Sequence, residues 1–158
     1  MAGTKKPVKK YNSSRRSIPK TQWIIDSKPL TFDELFYLKS VPHLSLQFLQ
    51  NDKAEKVDWY NVYFCILVGM WFCEMLYSDE NHAEFKKAIR ILNNVRTSYL
   101  ESGVFCITKE EAECLSATMW AVDEMREDVN RGIQLTVHRK ALQYIQKTFH
   151  DKDDKLQK

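Results

Sequence analysis

Residues 59–77 read WYNVYFCILVGMWFCEMLY, and Val62 to Cys73 within them are twelve consecutive apolar or glycine positions. The run falls short of the roughly 20 mostly apolar residues that a membrane span needs. Asn61 precedes it and Glu74 interrupts it. From Val57 onward the chain has no proline, which leaves room for long unbroken helices. A central helix, apolar on nearly every side and sheathed by other helices, is the reading that fits. Trp59, Tyr60, Trp71 and Tyr77 near the ends of the run are the feature a membrane helix would share.

The flanking segments supply the sheath. Ser78-Asp79-Glu80 offers a cap and negative charge at a helix start, and Phe85, Ala88, Ile89, Leu92, Val95 and Tyr99 follow at every third or fourth position. That spacing predicts an amphipathic helix from about 79 to 101, with Gly103 as its left-handed stop. Thr108-Lys109-Glu110-Glu111 reads as a capping box. Ala112, Leu115, Met119, Val122, Met125 and Val129 continue it at helical spacing. Glu110, Glu111, Glu113, Asp123, Glu124, Glu127 and Asp128 would give this helix an acidic exposed face. Asn130 and Gly132 read as its end, and Thr136 as the cap of a last helix through about Phe149. Val137, Ala141, Tyr144, Ile145 and Phe149 would be the buried stripe of that helix.

On the other side, Asn51 to Lys56 is a polar break. Thr31-Phe32-Asp33-Glu34 is a second capping box and predicts a short helix from about Phe32 to Lys39, ended by Pro42. His43 to Leu49 fits both an alternating strand and a helical turn; the absence of a partner strand elsewhere favours helix. The expected fold is an all-α helical bundle around the central apolar helix. One domain spans 23–150, with a basic arm at 1–22 and a charged tail at 151–158.

Charge is divided unevenly. Lys5, Lys6, Lys9, Lys10, Arg15, Arg16 and Lys20 fall in the first twenty residues, which hold no acid. The whole chain is +3, so the remainder, with 17 basic against 21 acidic side chains, is −4. The arm is too poor in apolar residues to offset its ordering entropy, and disorder in the free protein is expected. Its cations suit phosphates, with Tyr11 and Trp23 available to stack on bases. The same sequence would also serve as a solubilising tail, a localisation signal or a docking arm. Lys86, Lys87, Arg90 and Arg96 would add a basic helix face.

Chemical motifs are scarce. With 4 glycines the chain has no phosphate loop, and it carries no Gly-x-Ser-x-Gly element. His43, His82, His138 and His150 have no zinc-like spacing; Asp79 and His82 alone sit at the Glu-x-x-His offset. Cys65, Cys73, Cys106 and Cys114 form no Cys-x-x-Cys pair and read as free thiols. Glu74 sits among Trp71, Phe72, Cys73, Met75 and Leu76. Burial there would raise its pKa, although reaching solvent or pairing with a neighbouring cation is the stronger reading. No metal, cofactor or catalytic set is expected.

Lys9-Lys10-Tyr11, Gly103-Val104-Phe105 leading into Thr108 to Glu111, and Thr136 to Ala141 together resemble small helical phage and prophage accessory proteins with a basic N-terminal tail. The resemblance covers the tail and about the last sixty residues. It implies a non-enzymatic, phage-encoded binding protein in the host cytoplasm. Such a protein would act on a host or defence protein or nucleoprotein, an anti-CRISPR-type inhibitor being one concrete form. The residues expected to meet partner or phosphate are Lys5, Lys6, Lys9, Lys10, Tyr11, Arg15, Arg16, Lys20, Lys86, Lys87 and Arg90. Glu110, Glu113, Glu124 and Glu127 are the acidic partner-facing set. The alternative is a nucleic-acid-binding accessory protein that works through the arm. No signal-peptide core opens the chain, and no membrane partner is expected.

Overall fold

A computed structural model describes residues 27–76 and 82–150. The arm, Trp23 to Ile25, the Ser78–Glu80 cap and the tail lie outside the described residues. Five helices follow in order among the described residues: α1 Phe32–Gln50, α2 Lys56–Leu76, α3 His82–Ser102, α4 Lys109–Asp128 and α5 Arg131–Ile145. A π-helical turn, Gln146–His150, continues α5. No strand is present among them; Pro29 and Asn130 form an isolated antiparallel bridge.

The apolar run becomes the axis of the bundle. Trp59, Val62, Tyr63, Cys65 to Gly69, Phe72 and Cys73 of α2 are buried, and α2 packs against α1, α3, α4 and α5. By length and composition α2 is the one described helix apolar enough to cross a membrane; in this fold the other helices cover it. Gly69 marks the closest approach. A Cβ there would overlap the Phe85 ring of α3 and the Val122 methyl of α4. At the opposite end Trp59 and Tyr63 stack with ring centroids 4.7 Å apart, and Phe149 meets both edge to face at 5.3–5.4 Å. The Trp59 indole N–H donates to the Leu92 carbonyl at 2.9 Å, so this buried polar group is satisfied. Burial, and then Tyr144 beside it, push the Tyr63 phenol well above its ordinary pKa.

Both capping boxes form. Thr31 Oγ1 accepts the Glu34 N–H and Glu34 accepts the Thr31 N–H; Thr108 and Glu111 do the same for α4. Gly103 takes φ 77° and its N–H closes α3 on Tyr99 O at 2.7 Å. The stripe Ala112, Leu115, Met119, Val122, Met125 and Val129 is buried throughout.

Two boundaries and one buried position differ from the sequence reading. Pro42 does not end the first helix; α1 runs through it to Gln50 and absorbs the ambiguous His43–Leu49 segment. A proline inside a helix leaves the carbonyl four residues earlier without its N–H partner. That carbonyl, Leu38 O, accepts Arg126 Nη1 at 2.7 Å instead. Asn130 is a start, not a stop. Its side chain accepts the Ile133 N–H at 2.9 Å and caps α5 six residues before the cap expected at Thr136, whose hydroxyl donates to Gly132 O inside the helix. Tyr144, expected in the buried stripe, is 39% exposed.

Candidate functional site

α1 carries more apolar side chains than its inner face can bury. Leu46, Leu49 and Pro42 point into the bundle, whereas Phe32 (79% exposed), Phe36 (63%) and Tyr37 (67%) stand in solvent. Phe32 and Phe36 stack on each other at 6.3 Å. Tyr37, Leu44 and Phe48 form a second exposed row about 100° round the helix from Phe36. Across the seam, Trp120 of α4 is 61% exposed although it lies in an acidic stretch. Phe32 and Phe36, on the flank of α1 that bears His43, together with Trp120, exceed the scattered single exposures normal for a protein surface.

A buried polar chain positions this face. The Trp120 ring lies 4.9 Å from the His43 ring. His43 Nε2 meets Asp123 Oδ2 at 2.8 Å, Asp123 Oδ1 faces Arg126 Nη1 at 3.4 Å, and the same Nη1 reaches Leu38 O. Asp123 and Arg126 are 2% and 1% exposed. Paired in this way, neither buried charge lacks a counter-charge. The network ties α4 to α1 and fixes the indole, which is the kind of immobilised aromatic that anchors interfaces. Lys39 with Glu127 is a further tie across this seam, and Arg131 of α5 holds the Glu34 carboxylate of α1 at 2.6–2.8 Å. The Thr31 backbone first, and Arg131 second, hold Glu34 below the usual carboxylate range.

Asp123 therefore does not belong to the exposed acidic face; it points inward to His43 and Arg126. Glu111 is spent on its capping box. Glu110, Glu113, Glu124 and Glu127 are exposed as expected, with Glu113 facing Lys109 at 3.9 Å. Glu113, Trp120, Glu124 and Glu127 share one side of α4 by helical spacing, so the aromatic anchor is flanked by carboxylates.

Lys86, Lys87 and Arg90 lie exposed on α3. Arg96 leaves that set: its guanidinium lies 4.7 Å above the Phe149 ring. Lys5, Lys6, Lys9, Lys10, Tyr11, Arg15, Arg16 and Lys20 fall outside the described residues. Glu74 is exposed, as the stronger reading had it. Cys65, Cys73, Cys106 and Cys114 are free, and burial pushes the Cys65 thiol up to about 11. Among the described residues no three His, Cys, Asp or Glu side chains converge as metal ligands. Asp79 lies outside those residues, which leaves the Asp79–His82 offset without a description.

No protein-family model matches the chain, and no curated protein or solved structure is significantly similar to it.

Proposed function

We propose that this chain is a non-enzymatic binding protein whose α1–α4 aromatic face docks a protein partner. The observation that carries this reading is the exposure of Phe32 and Phe36 on the flank of α1 that bears His43, and of Trp120 against the His43 ring, which Asp123 and Arg126 hold from beneath. The partner surface that complements it is apolar at the centre and basic at the rim, because Glu113, Glu124 and Glu127 flank the indole. Most of its carboxylate charge disfavours nucleic acid at this face. The concrete biological form, stoichiometric inhibition of a host or defence protein by a phage-encoded accessory protein in the host cytoplasm, rests on the resemblance of the basic tail and the last sixty residues.

The test compares capture by the wild-type protein with capture by Phe36→Ser/Trp120→Ser and by Lys86→Ser/Lys87→Ser/Arg90→Ser. A partner bound through the aromatic face is retained by the second variant and lost by the first. Retention by both, or loss only from the lysine–arginine variant, contradicts the reading.

The second reading is nucleic-acid contact through the arm and α3. It is favoured by the clustering of Lys86, Lys87 and Arg90 on one exposed face. It predicts binding to a random duplex with a steep salt dependence that the Lys86→Ser/Lys87→Ser/Arg90→Ser variant reduces.

A further inference from the structure

Among the described residues four buried side-chain polar atoms have no hydrogen-bond partner: Trp71 Nε1, Arg126 Nε, Arg131 Nε and Gln134 Oε1. Buried polar groups are ordinarily paired, so a cluster of exceptions requires a cause. Arg126, Arg131 and Gln134 all line one cleft. A hollow of about 230 Å³ opens between α1 and α5, with apolar walls from Leu30, Tyr37, Leu38 and Leu135. Arg131, Gln134 and His138 form its polar side. A hollow of about 160 Å³ adjoins it, shares Tyr37 and Leu38, and has Arg126 and Asn61 in its wall. The larger hollow exceeds the roughly 30 Å³ share of one water several-fold.

The chemistry of the larger hollow is specific. Gln134 is 2% exposed. Its amide nitrogen is taken by His138 Nε2, which leaves the oxygen as a free acceptor. His138 is neutral near pH 7, because burial, and then the Arg126 charge, lower it to about 4. Arg131 spends Nη2 on Glu34 and keeps Nε–H as a free donor. Arg131 and Gln134 are one helical turn apart on α5, so one ligand can meet both. Each guanidinium is already matched, Arg131 by Glu34 and Arg126 by Asp123. An anion would gain no unpaired cation here and would face the Glu34 carboxylate. The complementary ligand is uncharged, with an N–H and a carbonyl side by side.

We propose that the α1–α5 cleft binds a small neutral amide or lactam with an apolar body, its N–H donating to Gln134 Oε1 and its carbonyl accepting from Arg131 Nε. Both protein atoms are buried, so the ligand enters past Tyr37, which is 67% exposed and lines both hollows. The site goes beyond the docking role of the aromatic face and does not rest on it. Arg126 supports both regions and is left intact in the test.

The full-length ¹⁵N-labelled protein is titrated with benzamide, benzoate and toluene, three probes that share one ring. Benzamide shifts the Arg131 Nε–H and Gln134 side-chain amide resonances saturably, at about millimolar affinity for so small a ligand. Toluene and benzoate bind at least about tenfold more weakly, as expected for lost hydrogen bonds in a buried site. Gln134→Met weakens benzamide by about the same factor while the remaining spectrum keeps its dispersion. The Trp120 indole N–H stays unshifted. Absence of the Arg131 and Gln134 shifts overturns the proposal. Toluene binding as tightly as benzamide reduces the cleft to an apolar hollow, and tighter benzoate makes it an anion site; either result overturns the proposal. Shifts confined to Trp120 also overturn it, because they place the probe on the aromatic face.

Discussion

Arg126 donates to the Leu38 carbonyl, the acceptor that Pro42 strips of its helical partner. One guanidinium thereby repairs the backbone of α1, neutralises Asp123 and, through Asp123, holds His43 under Trp120. Fold and candidate interface depend on the same buried side chain.

Arg126→Met leaves Asp123 buried without its cation and Leu38 O without a donor. The expected cost is about 3–5 kcal/mol in urea unfolding. Pro42→Ala returns an N–H to Leu38 O, so it is more favourable in the Arg126→Met background than in the wild type. A double-mutant cycle gives a coupling of at least about 0.5 kcal/mol; strict additivity would separate the two residues.

Two glycines fail for different reasons when a methyl is added. Gly69→Ala drives a Cβ into Phe85 and Val122, with an expected loss of about 1–3 kcal/mol. Val122→Ala in the same chain recovers part of it. Gly103→Ala meets open space but holds φ at 77°, which costs about 1–2 kcal/mol for a residue with a side chain. No neighbouring substitution recovers that loss. Thermal unfolding of the single and paired variants distinguishes the two mechanisms.

Burial, and then the Arg126 charge, lower His138 from 6.5 to about 4. The unfolded chain therefore takes up this proton first as pH falls. The stabilisation is complete above about pH 6.5 and is lost between there and pH 4, to the extent of about 3 kcal/mol. Unfolding midpoints measured from pH 7 to pH 4 fall along this curve, and His138→Gln removes that component. An unchanged pH dependence in the variant would assign the loss to other groups.

The thiols rank by exposure. Cys106 reacts first, Cys114 more slowly, and Cys65 and Cys73 only on unfolding, since both are buried and burial raises the pKa of each. Stopped-time alkylation of the native protein checks the order.

The helices with a clean period were legible in the sequence. α3 and α4 carry one apolar stripe each, and every expected core position of α4 is buried. The errors were non-local. Pro42 reads as a terminator within any short window, because the donor that compensates for it sits on another helix. Asp123 reads as one more acid of an acidic face, because the sequence does not reveal that His43 lies opposite. Asn130 has two meanings, helix stop and helix cap, and only the immediate reversal from α4 to α5 selects the second. The aromatic face did leave a trace: Trp120 is out of register with the stripe Leu115, Met119, Val122, and Phe32, Phe36 and Tyr37 add apolar residues beyond one helix face.

Site-specific photo-crosslinking in the native cell tests the central claim most directly. A photoreactive phenylalanine analogue is placed at position 36 in one protein and at position 87 in another. The aromatic-face account predicts one dominant protein adduct from position 36, absent from position 87 and abolished by Trp120→Ser in a protein that still folds. An adduct formed equally well from position 87, or one indifferent to Trp120→Ser, would contradict it.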